Sequence, residues 1–333
     1  MAAMSTAIRS PDASASAPAL PPFIHLKVHS AYSLLEGALP IPQIAKLAAK
    51  HGYPAVGLSD TGNLFGILEF SDKLAGAGIQ PIAGLSLAVD FGDKPAASPL
   101  GAEPRSGPDG RIALFAIGET GYANLMRMTT HGFFDPADAE PAHVKMALIE
   151  SDPEAGGKCL GHGLIALTGG PDGPIDSALR EGLRDKAESR LKTLMRIFGD
   201  RLYVELQRHG TRAEQEVEPQ LLELAYALKL PIVATNEVYF ASADDYDAHD
   251  ALLCIADGRY VTEDDRRRLT KEHHFKGPAE MAALFADLPE ALANTVEIAQ
   301  RCAFRPRGRK PILPSFVSTT DGASEEQRLA AEA

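Results

Sequence analysis

Cysteine is scarce in this chain. Cys159, Cys254 and Cys302 are far apart and odd in number, and no Cys-x-x-Cys pair points to a zinc or redox motif. A reduced, cytoplasmic setting is the simplest reading. No run of about 18 apolar residues occurs, so a membrane-spanning helix is not expected. Positive charge is also in deficit, with 33 Lys and Arg against 45 Asp and Glu and a net charge of −12. That balance argues against a surface that grips nucleic acid by phosphate neutralisation over its whole extent. Residues 1–22 are rich in Ala, Ser and Pro, and Arg9 is their only basic side chain. They are too poor in arginine for a transit peptide and lack the apolar block of a signal peptide, so they read as a disordered leader.

The chain of 333 residues, 45% of them hydrophobic, is long enough for one large α/β domain or two ordinary ones. After Pro21-Pro22, short β-rich runs alternate with amphipathic helical stretches. Strands are expected near 23–29, 55–59, 79–90, 111–117, 163–168, 202–207 and 231–235. Helices are expected over 41–51, 64–76, 121–131, 175–198 and 212–229. Strands separated by helices imply βαβ units and a mainly parallel sheet, either closed into a barrel or open and doubly wound. The Pro- and Gly-rich stretch 92–110 reads as a surface excursion between two antiparallel neighbours. Beyond about 240, helices near 243–256, 278–286 and 289–303 take over, followed by a basic, proline-broken run. A domain boundary is expected near 285. The tail from Ser318 is polar and helix-prone and ends without a capping signal, as though cut.

The polar residues favour the barrel, because His29, Asp60, His209, Asn236 and Glu237 all fall at strand C-terminal ends, where barrels of this kind carry their chemistry. In the opening run HLKVHS, His25 and His29 should share one face of a strand at roughly 13 Å separation, too far apart to chelate one ion together. A tight clip would need His-x-His, and position 27 is lysine. His29, Glu36, Asp60, Glu69, His131, His209 and Glu237 together are imidazoles and carboxylates that suit Zn²⁺, Mn²⁺ or Fe and the hydrolysis of a phosphoester. Each taken singly also fits a structural role, as a turn residue or a hydrogen-bonded histidine. Other motifs carry less. The stretch 76–84 lacks the setting of a dinucleotide fingerprint. Gly169-Gly170 is a turn that could aim N–H groups at an anion. Asp245 and Asp247 suit a helix start, and the Arg266–Arg268 run reads as a solvated face or a nucleic-acid contact.

Eight stretches carry a resemblance that extends over nearly all of residues 23–316: HLKVHSAYSLLEG (25–37), VGLSDTGNLFGILEF (56–70), GIQPIAG (78–84), TGYANL (120–125), VELQRHG (204–210), PIVATNEVYF (231–240), DAHDALLCI (247–255) and LPEALANTVEIAQRC (288–302). Together they resemble the N-terminal part of the bacterial replicative DNA polymerase III alpha subunits, the C-family polymerases. The resemblance implies an α/β fold: a polymerase and histidinol phosphatase (PHP) domain over 23–285, built as a distorted seven-stranded β/α barrel, then a helical segment over 286–333 that begins the polymerase core. It also implies metal ligands at His29, Glu36, Asp60, Glu69, His131, His209 and Glu237. Lys27, Thr61, Gly170 and Tyr239 stand where active members carry further ligands. A full trinuclear cluster and proofreading nuclease activity are therefore not expected. A single weak Zn²⁺ or Mn²⁺ at His29, Glu36, His131 and His209, or none, is expected in its place, with Lys27 paired to Glu36 or Glu237. In the full-length family, DNA synthesis uses Mg²⁺ on palm aspartates that have no match here. The implied partners are a proofreading exonuclease subunit, the rest of the polymerase core, the sliding clamp and primer-template DNA. Two rival readings are a free-standing metal-dependent PHP phosphoesterase and a purely structural binding module.

Overall fold

A computed structural model describes residues 23–93, 107–136, 140–154, 156–310 and 324–332. The expected leader 1–22, the middle of the 92–110 excursion and the end of the basic, proline-broken run lie outside the described residues. The elements follow in the order α1 (Ile41–His51), β1 (Ala55–Leu58), α2 (Ile67–Gly76), β2 (Gln80–Asp90), β3 (Gly110–Ala116), α3 (Glu119–Phe134), β4 (Val144–Lys145), α4 (Met146–Glu150), β5 (Leu164–Leu167), α5 (Pro174–Arg180), α6 (Arg184–Phe198), β6 (Leu202–Gln207), α7 (Arg212–Leu228) and β7 (Ile232–Thr235). Then come α8 (Tyr246–Asp257), α9 (Pro278–Leu284), α10 (Pro289–Arg301) and α11 (Glu325–Glu332).

The strands form one sheet in the order β1-β2-β3-β5-β6-β7, with the two-residue β4 beside the end of β2. Pairing is parallel for β1–β2, β5–β6 and β6–β7, and β3 runs antiparallel to both its neighbours. This is a mixed α/β architecture with a curled seven-stranded sheet, as expected of a distorted barrel. The β2–β3 pair confirms that the 92–110 stretch joins antiparallel neighbours.

The stretch expected as the first strand closes this curl without forming a regular ladder. Gly57 N–H donates to His25 O (2.7 Å) and Ser59 N–H to Val28 O (3.0 Å) on one side. On the other, His29 N–H donates to Val238 O (2.9 Å) and Val238 N–H to Lys27 O (3.0 Å). Two residues of β1's edge therefore face three of the closing segment, which is the signature of a bulge. The extra residue turns over the side-chain alternation. Ile24 and Leu26 point into the barrel with Ala55, Ile82, Phe115, Ile165 and Val233, whereas beyond the bulge it is Lys27 and His29 that reach the interior. His25 points out, against Phe23, Tyr53 and Phe275. The expectation that His25 and His29 share a face is thus corrected.

Two helices also differ from expectation. The stretch 175–198 is split into α5 and α6, because Gly182 takes the left-handed conformation at φ 75° and a residue there ends a helix readily only when it has no Cβ. The 243–256 stretch opens with a 3₁₀ turn before α8, where Ser242 N–H and Oγ both donate to Asp245 Oδ2. Asp245 is a helix-capping residue, as its position indicates. Helix α10 covers one end of the barrel: Ile298, Ala299 and Cys302 join the interior cluster, and Ile24 N–H donates to Thr295 Oγ1.

Candidate functional site

At the strand C-terminal ends, the centre of the barrel mouth is a lysine. Lys27, 2% exposed, sits between two carboxylates, with Nζ 3.2 Å from Glu205 Oε1 and 3.0 Å from Glu237 Oε1. It also donates to Gly169 O at 3.3 Å. Burial alone would lower its pKa, but Glu205 and Glu237 outweigh burial and hold it above the ordinary lysine value. Burial would likewise raise Glu237, yet Lys27 and His29 hold it well below the ordinary carboxylate range. The site is an internal network in which Lys27 and Glu237 each favour the other's charged form.

Each carboxylate is close to saturated. Glu205 accepts from Lys27, from Gln207 Nε2 (2.7 Å) and from Thr235 Oγ1 (2.5 Å) on Oε1, and from Gly169 N–H (3.0 Å) on Oε2. The N–H of the Gly169-Gly170 turn therefore does face an anion, an internal one. Glu237 accepts from Lys27 and His29 Nε2 (3.1 Å) on Oε1 and from Gln207 Nε2 (3.3 Å) on Oε2. His29 stacks on Tyr239, with ring centroids 4.5 Å apart. Asp60 accepts from Ser30 N–H, Ser30 Oγ and Ser33 Oγ, all at 2.7 Å. Glu36 accepts from Thr61 Oγ1 (2.7 Å) and from both terminal nitrogens of Arg111 (3.0 and 3.3 Å). Burial opposes its ionisation, but Arg111 prevails and lowers its pKa. Of the two acids expected to pair with Lys27, Glu237 does so, while Glu36 pairs with Arg111.

His209 is committed elsewhere. Its Nδ1 donates to Glu214 Oε1 (2.7 Å), its Nε2 accepts from Glu237 N–H (3.2 Å), and its ring stacks on His273 at 3.9 Å. The lone pair a metal would need is already engaged. His131, on α3, donates from Nδ1 to Asp135 Oδ2 at 2.8 Å, and none of its partners belongs to the Lys27 group. Glu69, in the first turn of α2, accepts from Tyr32 Oη at 3.2 Å, again apart from Lys27. A cleft of about 200 Å³ opens over the site, lined among others by Glu36, Gln207, Glu237, Tyr239, Arg267 and His273. The basic run beside it is paired with acids: Arg266 forms a bidentate contact with Asp250 (2.6 Å twice), and Arg267 lies 3.3 Å from Asp257.

Sequence reasoning did not single out Glu205, Gln207, Arg111, Ser33 or Glu214. A signal for the first two existed: Tyr203, Glu205 and Gln207 alternate on β6, a strand whose six residues are all buried, so a charged and an amide side chain had to point inward.

The donor set tests poorly against a metal cluster. An ion bound by Glu237 would lie within about 4 Å of Nζ, where a divalent charge is repelled by roughly 8 kcal/mol at an effective dielectric of about 20. Gly170 is equally unreceptive. Its φ is +64°, and a Cβ there would lie 2.7 Å from Gln207 Cδ. Gly170→Ala is expected to destabilise the chain by about 1–3 kcal/mol, read from urea midpoints. Adding Gln207→Ala should relieve part of that loss, and an unaltered midpoint in Gly170→Ala would show that the cavity is larger than this geometry implies. Among the described residues, the one group of three His or carboxylate donors within 4.8 Å of one another lies elsewhere, at Glu272, His274 and Glu280.

The PHP domain profile matches residues 25–209, and the chain belongs to the PHP domain family. Within that family it is similar to the DNA polymerase III subunit alpha of Caulobacter vibrioides (strain NA1000 / CB15N), at 47% identity over 308 residues, covering 92% of this chain and 26% of that protein. The same subunit of Rickettsia prowazekii (strain Madrid E) is 37% identical over 301 residues, covering 90% of this chain and 24% of that protein. The chain thus spans about a quarter of the length of the curated relatives it matches. An amidohydrolase structure from Chromobacterium violaceum is a distant likeness, at TM-score 0.39 and 14% identity, covering 65% of this chain and 87% of that one. No described helix is long and apolar enough to cross a membrane.

Proposed function

We propose that this chain is the PHP portion of a cytoplasmic replicative DNA polymerase alpha subunit, with residues 23–285 as the PHP domain and 286–333 leading into the polymerase core. In this reading His29, Glu36, Asp60, Glu69, His131, His209 and Glu237 are the vestige of a metal site. Lys27 has taken the place of the ions, and Thr61, Gly170 and Tyr239 mark further lost ligands. The domain serves as a scaffold for the core and as a docking site for a proofreading exonuclease subunit. DNA synthesis with Mg²⁺, and contacts with the sliding clamp and primer-template DNA, belong to the remainder of the longer polypeptide. By itself the chain is expected neither to polymerise nor to cleave DNA.

The observation that carries this reading is the Lys27 ammonium held between Glu205 and Glu237. One cation on a flexible stem stands beside Glu237, one of the acids expected to hold the ions, and beside the neighbouring Glu205. The network ties the closing segment to β6 and to the segment after β7 through Lys27. Co-purification with an exonuclease subunit tests the docking role, and hydrolysis of p-nitrophenyl phosphate with added Mn²⁺ would point instead to a free-standing phosphoesterase. Lys27→His tests the exchange itself. It should raise Zn²⁺ or Mn²⁺ uptake at the mouth above the parent level, whereas no gain in uptake would count against Lys27 as the ion's replacement.

A further inference from the structure

Beside the mouth, a 3₁₀ turn over Lys271–His273 gives way to extended chain at His274, which bridges Phe240. His273 faces in and stacks on His209, while His274 turns away. His274 Nδ1 lies 3.0 Å from Lys271 O. A carbonyl only accepts, so Nδ1 carries the proton, and in the neutral ring Nε2 presents a lone pair. That Nε2 faces Glu280 Oε1 at 3.2 Å, which sets lone pair against lone pair. Such an arrangement is stable only with a proton or a cation between the two atoms. Glu280 is oriented in turn by Gly277 N–H, which donates to its Oε2 at 3.3 Å and leaves Oε1 toward the histidine. Glu272 completes the set. Its Oε2 pairs with Lys276 Nζ at 3.2 Å, and donor atoms of all three residues lie within 4.8 Å of one another.

We propose that Glu272, His274 and Glu280 form a surface site for a divalent transition-metal ion, distinct from the vestigial barrel mouth. One imidazole and two carboxylates suit Zn²⁺ or Mn²⁺. Backbone groups that fix both the histidine tautomer and the glutamate rotamer are the outer-shell supports such sites use. Lys276 stands beside Glu272 as Lys27 stands beside Glu237 and opposes the ion, but Glu272 and Glu280 are about half exposed, so water screens a repulsion that the buried mouth leaves in force, and the site is one of modest affinity. It occupies the outer face of the fold and shares no residue with the Lys27 network.

Zn²⁺ titration of the purified chain against a chromophoric chelator tests this. The parent chain should bind one Zn²⁺ saturably. His274→Ala and Glu280→Gln should each weaken that binding by about 10–100-fold. Glu280 is exposed, so Glu280→Gln keeps the test sound should His274→Ala lower stability. Absence of saturable zinc binding, or affinity unchanged in both variants, overturns the site.

Discussion

Replacing Lys27 by methionine, which keeps the stem and removes the charge, is expected to destabilise the chain by about 3–5 kcal/mol. Breaking one side of a buried ion pair strands its partners in a low-dielectric interior. Here two acids are stranded, Glu205 at 0% and Glu237 at 8% exposure. The size of the loss follows from how little else can compensate: Glu205 and Glu237 keep neutral donors in Gln207, Thr235 and Gly169, but only His29 remains as a potential cation against Glu237. Urea unfolding monitored by circular dichroism reads the change directly. The triple variant Lys27→Met, Glu205→Gln, Glu237→Gln removes charge from all three and should recover much of the stability, since replacing a whole buried ionic group is far less costly than halving it. A single variant as stable as the parent would mean that the acids are not ionised and that the lysine does not organise the mouth.

The second large effect is acid lability from histidines outside that network. Burial lowers the pKa of His25 from 6.5 to about 3 and that of His273 from 6.5 to about 2. His25 Nδ1 is buried without a partner, so the protonated ring has nothing to receive its second proton. A depressed folded pKa means that the unfolded chain takes up protons the folded chain refuses. The stability these groups contribute is complete above pH 6.5 and is lost as pH falls toward the folded values. At pH 5 each costs about 2 kcal/mol, or about 4 together, at 1.36 kcal/mol per unit. Carboxylates add to the loss only lower down. Glu237 and Glu214, both held below 4.5 by their partners, contribute above 4.5 and lose that contribution as pH falls through their folded values. The midpoint in urea should therefore drop steeply between pH 7 and 5, before the acids titrate. His25→Phe should remove about half of that drop, since the ring sits among Phe23, Tyr53 and Phe275 and Tyr53 Oη still donates to Lys276 O. A pH profile identical to the parent's would exclude His25 as a contributor.

Much of the barrel was legible because its strands are short apolar runs set between amphipathic helices. The expected strands at 55–59, 79–90 and 202–207 lie within a residue of β1, β2 and β6. What escaped was information that side-chain periodicity does not carry. The closing segment has the alternation of a strand, but its bulge is a count of backbone hydrogen bonds against β1, and that count decides which of His25 and His29 enters the barrel. Strand β4, with two residues, has no period to detect. In the candidate site, strand-end position gathered His29, Asp60, His209 and Glu237 correctly at one end of the fold, because topology alone brings strand ends together. It could not place His131 and Glu69, which ride on helices and face other partners. Glu205 and Gln207 alternate with apolar residues on β6, a pattern that does not by itself say which face the sheet encloses. Only the closure of the sheet makes that face an interior, and only the interior makes Lys27 a necessary partner.

The most direct test of the exchange of metal for lysine is metal analysis of the purified chain after equilibration with Mn²⁺ and Zn²⁺, together with a manganese-dependent 3′–5′ exonuclease assay. No more than one ion per chain and no nuclease activity are expected. A content near three ions per chain with manganese-dependent 3′–5′ cleavage would contradict the substitution of the cluster by Lys27.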